Sequence, residues 1–187
     1  DAADWRRQSR LYDIADLLAF EDRGDYVYVA GDCSRAYSTN KLEYFTRQIL
    51  FLRPGTFVIF DRVKSTRPEF KKTWLLQAMT TPAQAGPHLV ITQGRGRLFV
   101  QSLLPAQARL NLVSGENLYS CGGRSYPPKR EIGKAPECRV EISPSQPSQV
   151  DHFLHVLTAV DAATATVPVA QAQAEPGRVR VTVGPAT

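Results

Sequence analysis

The sequence predicts an all-β fold: an antiparallel β-sandwich of two stacked sheets, supersandwich or jelly-roll-like, with little helix. Three observations carry that expectation. Almost every patterned segment alternates with period two or is a short apolar run bounded by turn residues, the two ways in which strands read. Gly, Pro and Asp punctuate those runs and mark tight turns. Roughly a dozen such strands at regular spacing are the pattern of a sandwich or open barrel.

Taken in order, Trp5–Leu18 is the only helix-compatible segment, and a weak one. Ala15–Glu21 and Tyr26–Cys33 flank the turn Asp22-Arg23-Gly24-Asp25; in the second run Tyr26 and Tyr28 share one face, Val27 and Val29 the other. Glu43–Leu52 and Thr56–Lys64 are joined by Arg53-Pro54-Gly55, where Pro presets φ and Gly permits positive φ, so they predict a hairpin. Both runs are apolar on both faces, as central strands of a covered sheet are, yet they carry Arg47, Asp61 and Arg62. Asp61 and Arg62 are expected to form structural charge pairs with neighbouring strands rather than a catalytic site.

Lys72–Met79 reads as a strand and TTPAQAGP as a loop, after which His88–Gln93 and Arg97–Leu104 flank the turn Gly94-Arg95-Gly96. Arg109–Val113 is a short strand, and 114–138, rich in GG and PP, is one long irregular loop. Cys138–Ser143 and Asp151–Ala159 are strands around SPSQPSQ. Thr166–Ala172 and Arg178–Val183 close the chain around Glu175-Pro176-Gly177. With 187 residues and 43% hydrophobic content, residues 1–187 predict a single domain able to bury a sizeable core.

The net charge of +5 would suit an acidic partner, either nucleic acid or a uronate or sulfate polysaccharide. The basic residues are scattered and accompany no nucleic-acid-binding motif, so a mildly basic, solvated surface is expected and no nucleic acid. No window approaches the roughly eighteen apolar residues of a membrane span, and DAADWRRQSR lacks the apolar core of a signal peptide. The start on Asp1 reads as cut, which leaves open an exported parent with its signal upstream. Cys33, Cys121 and Cys138 allow either three reduced thiols or one disulfide, in which case Cys121 and Cys138 would be the pair.

Catalytic chemistry finds few candidates. His152 and His155 in DHFLHVL would converge on a helix, but the run reads as strand, where residues three apart face opposite ways; one is expected between the sheets and the other exposed. His88 is expected at the surface. No G-x-S-x-G is present, and Gly94-Arg95-Gly96 precedes a strand rather than the helix a phosphate loop needs. A metal-dependent jelly-roll enzyme would need a cluster of His and carboxylates that the sequence does not offer. Aromatics that could stack on sugars are Tyr26, Tyr28, Tyr37, Trp74, Tyr119 and Tyr126. Arg35 and Tyr37 rank first, because SRAYSTN is a polar turn in which an aromatic is least easily explained by burial.

In sequence, YVYVAGDCSRAYS (26–38), FTRQILFLRPGTFVIFDRV (45–63), KKTWLLQ (71–77), GRLFVQSLLP (96–105), NLYSCGGRSYPP (117–128) and HFLHVLTAVD (152–161) resemble the C-terminal β-sandwich of the heparinase II/III-like polysaccharide lyases. The resemblance covers about residues 11–185. It implies an architecture in which an α/α toroid supplies a cleft and the sandwich packs against it. It also implies β-elimination on uronic-acid polysaccharides, with Tyr and His as acid and base and often a bound zinc. The family's HxHxD-like and His-Asn-Thr motifs lie upstream of its GD-x-x-x-AY segment, and this chain begins after them. No catalytic or metal-binding residue is therefore carried over, and the catalytic toroid is expected to be absent. At Gln77 the chain also departs from the family's WLLH string, whereas His155 fits its string as a strand residue.

The resemblance thus implies a sandwich domain that supports the cleft of a lyase and is not catalytic alone. Its partners would be an acidic polysaccharide and the toroid of the parent, with Arg35 and Tyr37 as substrate contacts. No cofactor is expected in this chain, with any zinc held by upstream residues of a periplasmic or secreted bacterial parent. The alternative is a stand-alone carbohydrate-binding module.

Overall fold

A large antiparallel sheet with side chains to bury on both faces organises the molecule, and the computed structural model describes residues 14–128 and 133–184. In chain order the strands are β1 (Asp16–Asp22), β2 (Tyr26–Asp32), β3 (Leu42–Leu52), β4 (Thr56–Ser65), β5 (Trp74–Ala78), β6 (Ala83–Ala85), β7 (His88–Gln93) and β8 (Gly96–Leu104). They continue as β9 (Ala108–Ser114), β10 (Ser120–Cys121), β11 (Arg124–Ser125), β12 (Cys138–Pro144), β13 (Val150–Asp161), β14 (Gln171–Glu175) and β15 (Arg178–Thr182). Two short 3₁₀ turns are the only helical segments among the described residues. Of the weak helical expectation at Trp5–Leu18, the part before residue 14 lies outside the described residues, and from Asp16 on the chain is strand.

The large sheet runs β1-β2-β3-β4-β13-β8-β7-β6, and a second sheet runs β5-β12-β9. Side-chain alternation sends Phe57, Ile59 and Val63 of β4, with Phe153 and Leu157 of β13, toward the second sheet. There they pack with Trp74, Cys138, Val140 and Ile142 to form the inter-sheet core. The alternate residues Val58, Phe60, Leu154 and Val156 pack on the opposite face with Val179 and Val181 of β15 and with Val183 just after it. Both covers follow from the two-faced apolar pattern of the central strands. Each large apolar side chain fully buried there, such as Phe153 or Leu154, contributes roughly 1.5–3 kcal/mol.

Several sequence expectations change. The TTPAQAGP loop contains β6, which pairs with β7. The 114–138 loop holds a 3₁₀ turn and the β10–β11 hairpin, with residues 129–132 outside the described residues. The closing hairpin begins at Gln171 rather than Thr166, with Glu175 opposite Arg178 and Pro176-Gly177 between them. The segment before it is held differently: the buried Gln101 amide donates to the Ala170 carbonyl at 2.9 Å and accepts from the Ala170 N–H at 2.8 Å. A side chain takes the place of a strand partner, so Pro168 is tolerated nearby. His88 is buried, edge-on to Phe99, rather than at the surface, and that burial lowers its pKa. All three cysteines are free thiols: Cys138 buried, Cys33 partly so and Cys121 exposed.

Polar groups close one end of the inter-sheet space. Lys72 Nζ lies 2.9 Å from Asp151 Oδ2, both side chains less than a tenth exposed, and it also donates to Ser65 Oγ and the Ser148 carbonyl. At the edges, β6 is only three residues long, whereas β1 exposes Leu17, Leu18 and Phe20 and is irregular between Leu17 and Ala19.

The Arg53-Pro54-Gly55 turn sits where predicted, but Gly55 is not needed there for a positive φ. The Ala159 N–H donates to the Gly55 carbonyl at 2.8 Å, and a Cβ on Gly55 would stand 2.4 Å from the Ala159 carbonyl oxygen. Gly55→Ala is expected to push β13 away from the turn and lower stability by about 1–3 kcal/mol, measured by urea unfolding. Gly24→Ala, at an open turn, serves as a control for backbone conformation alone.

Candidate functional site

The polar turn after β2 is built by local hydrogen bonding. Asp32 Oδ1 accepts from the Ser34 N–H at 2.8 Å and from the Ser34 hydroxyl at 2.5 Å, the short side-chain loop that Asp favours before a turn. Those bonds, the hydroxyl first, hold the Asp32 carboxyl below its usual pKa, with a smaller contribution from the nearby Arg35 charge. Ser34 Oγ in turn accepts from the Phe45 N–H at 2.9 Å, and the Cys33 N–H donates to the Phe45 carbonyl at 2.8 Å. The turn is thereby fastened to β3, and Ser34–Ala36 forms one 3₁₀ turn.

Arg35 and Tyr37 project from this platform. Arg35 Nη2 donates to Asp16 Oδ1 at 2.7 Å, an exposed pair of the kind worth little to stability. Tyr37 is 53% exposed and stands edge-on to Phe45, ring centroids 5.8 Å apart. The Arg47 guanidinium lies 5.5 Å from the Phe45 centroid. A ring and two guanidiniums at one end of the sheet can present a stacking surface and anion donors to a sugar chain. Of the other aromatic candidates, Trp74 lies in the core, while Tyr126 is exposed with the Arg124 guanidinium 5.2 Å from its ring centroid.

Arg47 was visible in the sequence only as a charge out of place, and the structure makes it the link between this rim and the core. It donates from Nε to Asp61 Oδ1 at 2.7 Å and from Nη2 to Asp61 Oδ2 at 2.6 Å, a bidentate pair across β3 and β4. The Asp61 side chain is 3% exposed and that of Arg47 39%, so the carboxylate is sealed while the guanidinium still meets solvent. The hydrogen bonds to Asp61 raise the Arg47 pKa against the cost of its burial. The expected charge pairing therefore holds for Asp61. Arg62, one residue on, points to the other face and donates to the Thr46 hydroxyl at 3.2 Å, forming no charge pair among the described residues.

His152 and His155 face opposite ways, as the strand reading requires. His155 is fully buried in the inter-sheet space, its ring centroid 3.9 Å from that of Trp74, and both ring nitrogens lack a hydrogen-bond partner among the described residues. Its cross-strand neighbour Ser102 likewise has an unpartnered hydroxyl. Burial, reinforced by the Arg47 charge, pushes the His155 pKa down to about 3. A neutral imidazole closed to solvent cannot exchange a proton with a bound polysaccharide. These positions do not fit the zinc implied for a heparinase-like parent, and among the described residues no three His, Cys, Asp or Glu side chains converge.

Neither models of known families nor curated protein sequences match the chain. Solved structures do. The chain is similar in fold to the heparan sulfate lyase HepC from Pedobacter heparinus, with a TM-score of 0.61 at 16% identity over 90% of this chain and 26% of that one. It is likewise similar to a heparinase III gene product, TM-score 0.66 at 13% identity over 90% of this chain and 26% of that one. A further heparinase III gives a TM-score of 0.60 at 13% identity, covering 91% of this chain and 26% of that one. At such identities the likeness is one of fold: the expected sandwich is a fold found within heparinase III structures. The chain spans about a quarter of the length of those proteins, 26% in each case.

The lowered pKa gives His155 a defined pH signature. The unfolded chain protonates this histidine near its ordinary value of 6.5 and the folded chain only near 3, so stability falls as pH drops through that window. Between pH 7 and 5 the loss attributable to this one group is about 2 kcal/mol. Urea unfolding at the two pH values is expected to show a loss larger by that increment in the wild type than in His155→Phe, the buried His88 contributing in both.

Proposed function

We propose that this chain is the β-sandwich domain of a heparinase II/III-like polysaccharide lyase, which walls and supports a cleft for β-elimination on uronic-acid polysaccharide and is not catalytic by itself. The observation that carries the reading is the fold shared with heparinase III structures over 90% of this chain, against 26% of theirs. The resemblance of the ordered sequence strings points the same way. Abstracting the proton α to a uronate carboxylate needs a neutralised carboxylate and a base within hydrogen-bond reach. The platform supplies guanidiniums for the first requirement, while its nearest buried imidazole is sealed from substrate.

The parts follow from that division of labour. An α/α toroid of the parent carries the acid, the base and any zinc; this domain contributes Arg35 and Tyr37, joined by Arg47, along the rim. The net positive charge of +5 favours an acidic glycan, and a periplasmic or secreted bacterial parent is the setting in which such a polysaccharide is met. The exposed Tyr37 ring beside Arg47 also favours a second reading, a module that holds polysaccharide without chemistry in any parent.

Incubated alone with alginate, heparin or heparan sulfate, the chain is expected to generate no unsaturated-uronate absorbance; sustained lyase activity would overturn the supporting role. The module reading predicts salt-sensitive retention on a polysaccharide gel that weakens about tenfold in Arg35→Ala or Tyr37→Ala. Retention unchanged in both variants would remove this rim from the site.

A further inference from the structure

The β14–β15 hairpin does not lie flat on the large sheet along its whole length: between them runs a groove of about 1180 Å³. Its floor is set by register. Thr46, Arg62 and His152 lie opposite one another across β3, β4 and β13, and Gln48, Phe60 and Leu154 form the next row on the same face. This is the face opposite the Arg47–Asp61 pair, since Asp61 and Arg62 are consecutive in one strand.

We propose that this groove binds a segment of an anionic polysaccharide at a site separate from the Tyr37 rim. Three guanidiniums, Arg62, Arg178 and Arg180, line it against one carboxylate, Glu175. Glu175 is already held by Arg178 and Arg180. Arg62 donates only to the Thr46 hydroxyl and forms no ion pair among the described residues, so an exposed guanidinium is left facing the groove. Beside it the His152 and Phe60 rings stack at 5.7 Å and Tyr28 and Gln48 join them, over a floor that is otherwise largely aliphatic, with Leu50, Val58, Leu154 and Val181 among its residues. Rings for the apolar faces of sugars, an amide for hydroxyls and an uncommitted guanidinium for carboxylate or sulfate are the complement of a charged glycan. A purely apolar occupant would instead cover Arg62 without a counter-charge, which is costly.

The location rests on the geometry; the class of ligand rests on the reading of the domain as part of a polysaccharide lyase. The three histidines report on separate places, since His88 and His155 are buried and His152 lies in the groove. Short heparan sulfate and alginate oligosaccharides are titrated into the whole chain while the histidine ring protons are followed by NMR, with His152 assigned from His152→Gln. With at least one of the two glycans, the His152 resonances are expected to move while those of His88 and His155 stay. Arg62→Ala is expected to weaken the affinity about tenfold, the loss of a charge-assisted hydrogen bond, with its thermal unfolding unchanged. In Arg35→Ala and Tyr37→Ala the His152 response is expected to persist. Binding that leaves His152 unmoved, or that is as tight in Arg62→Ala as in the wild type, overturns the groove while the polysaccharide reading stands. Absence of binding by both oligosaccharides overturns the groove and the module reading together.

Discussion

One sheet with two apolar faces sets the terms for everything else in this molecule. A strand buried on both sides cannot sit at a protein's surface, so β4 and β13 require a cover on each face, and the chain supplies two that differ in kind. The inner cover is a three-stranded sheet carrying Trp74, Val140 and Ile142; the outer one is a two-stranded hairpin presenting Val179 and Val181. The larger cover leaves a closed core and the smaller one leaves a groove. The two candidate binding surfaces are the places where these covers run out.

The polar residues inside this frame obey the same constraint. Asp61 is tolerated in the inner face because Arg47 meets it with two hydrogen bonds and keeps part of its own guanidinium in solvent. Lys72 and Asp151 are both buried as an ion pair, with the Lys72 ammonium directing its hydrogen bonds to Ser65 and to backbone carbonyls. His155 takes the remaining course open to a buried ionisable group and gives up its charge. In these groups charge within the sandwich is organised for structure.

Much of the fold was legible in the sequence because period-two alternation and turn chemistry are local signals. The β3–β4 hairpin, the opposed faces of His152 and His155 and the central place of residues 42–65 all follow from them. What was not legible depended on distant partners. Thr166–Ala172 reads as strand until Gln101, far away in the chain, takes the Ala170 backbone as its own partner. His88 reads as exposed until Phe99 is brought alongside it across the β7–β8 hairpin. The candidate rim was half visible: a ring in a polar turn marks Tyr37, but Arg47 becomes its neighbour only once β3 is fastened beneath that turn. Arg62 was misjudged for a related reason, because alternation says which face it occupies and nothing about whether a counter-charge waits there.

The first strand carries a consequence for the molecule as a material. The opposite edge of the sheet is blunted to three residues, but among the described residues β1 has no partner on its outer side and exposes the side chains of Leu17, Leu18 and Phe20. Such an edge is a template for another strand, and only the irregularity near Leu17 twists it away from a partner. Among the described residues it is thus these seven at the rim, and not the filled core, that leave backbone groups for a further strand to meet.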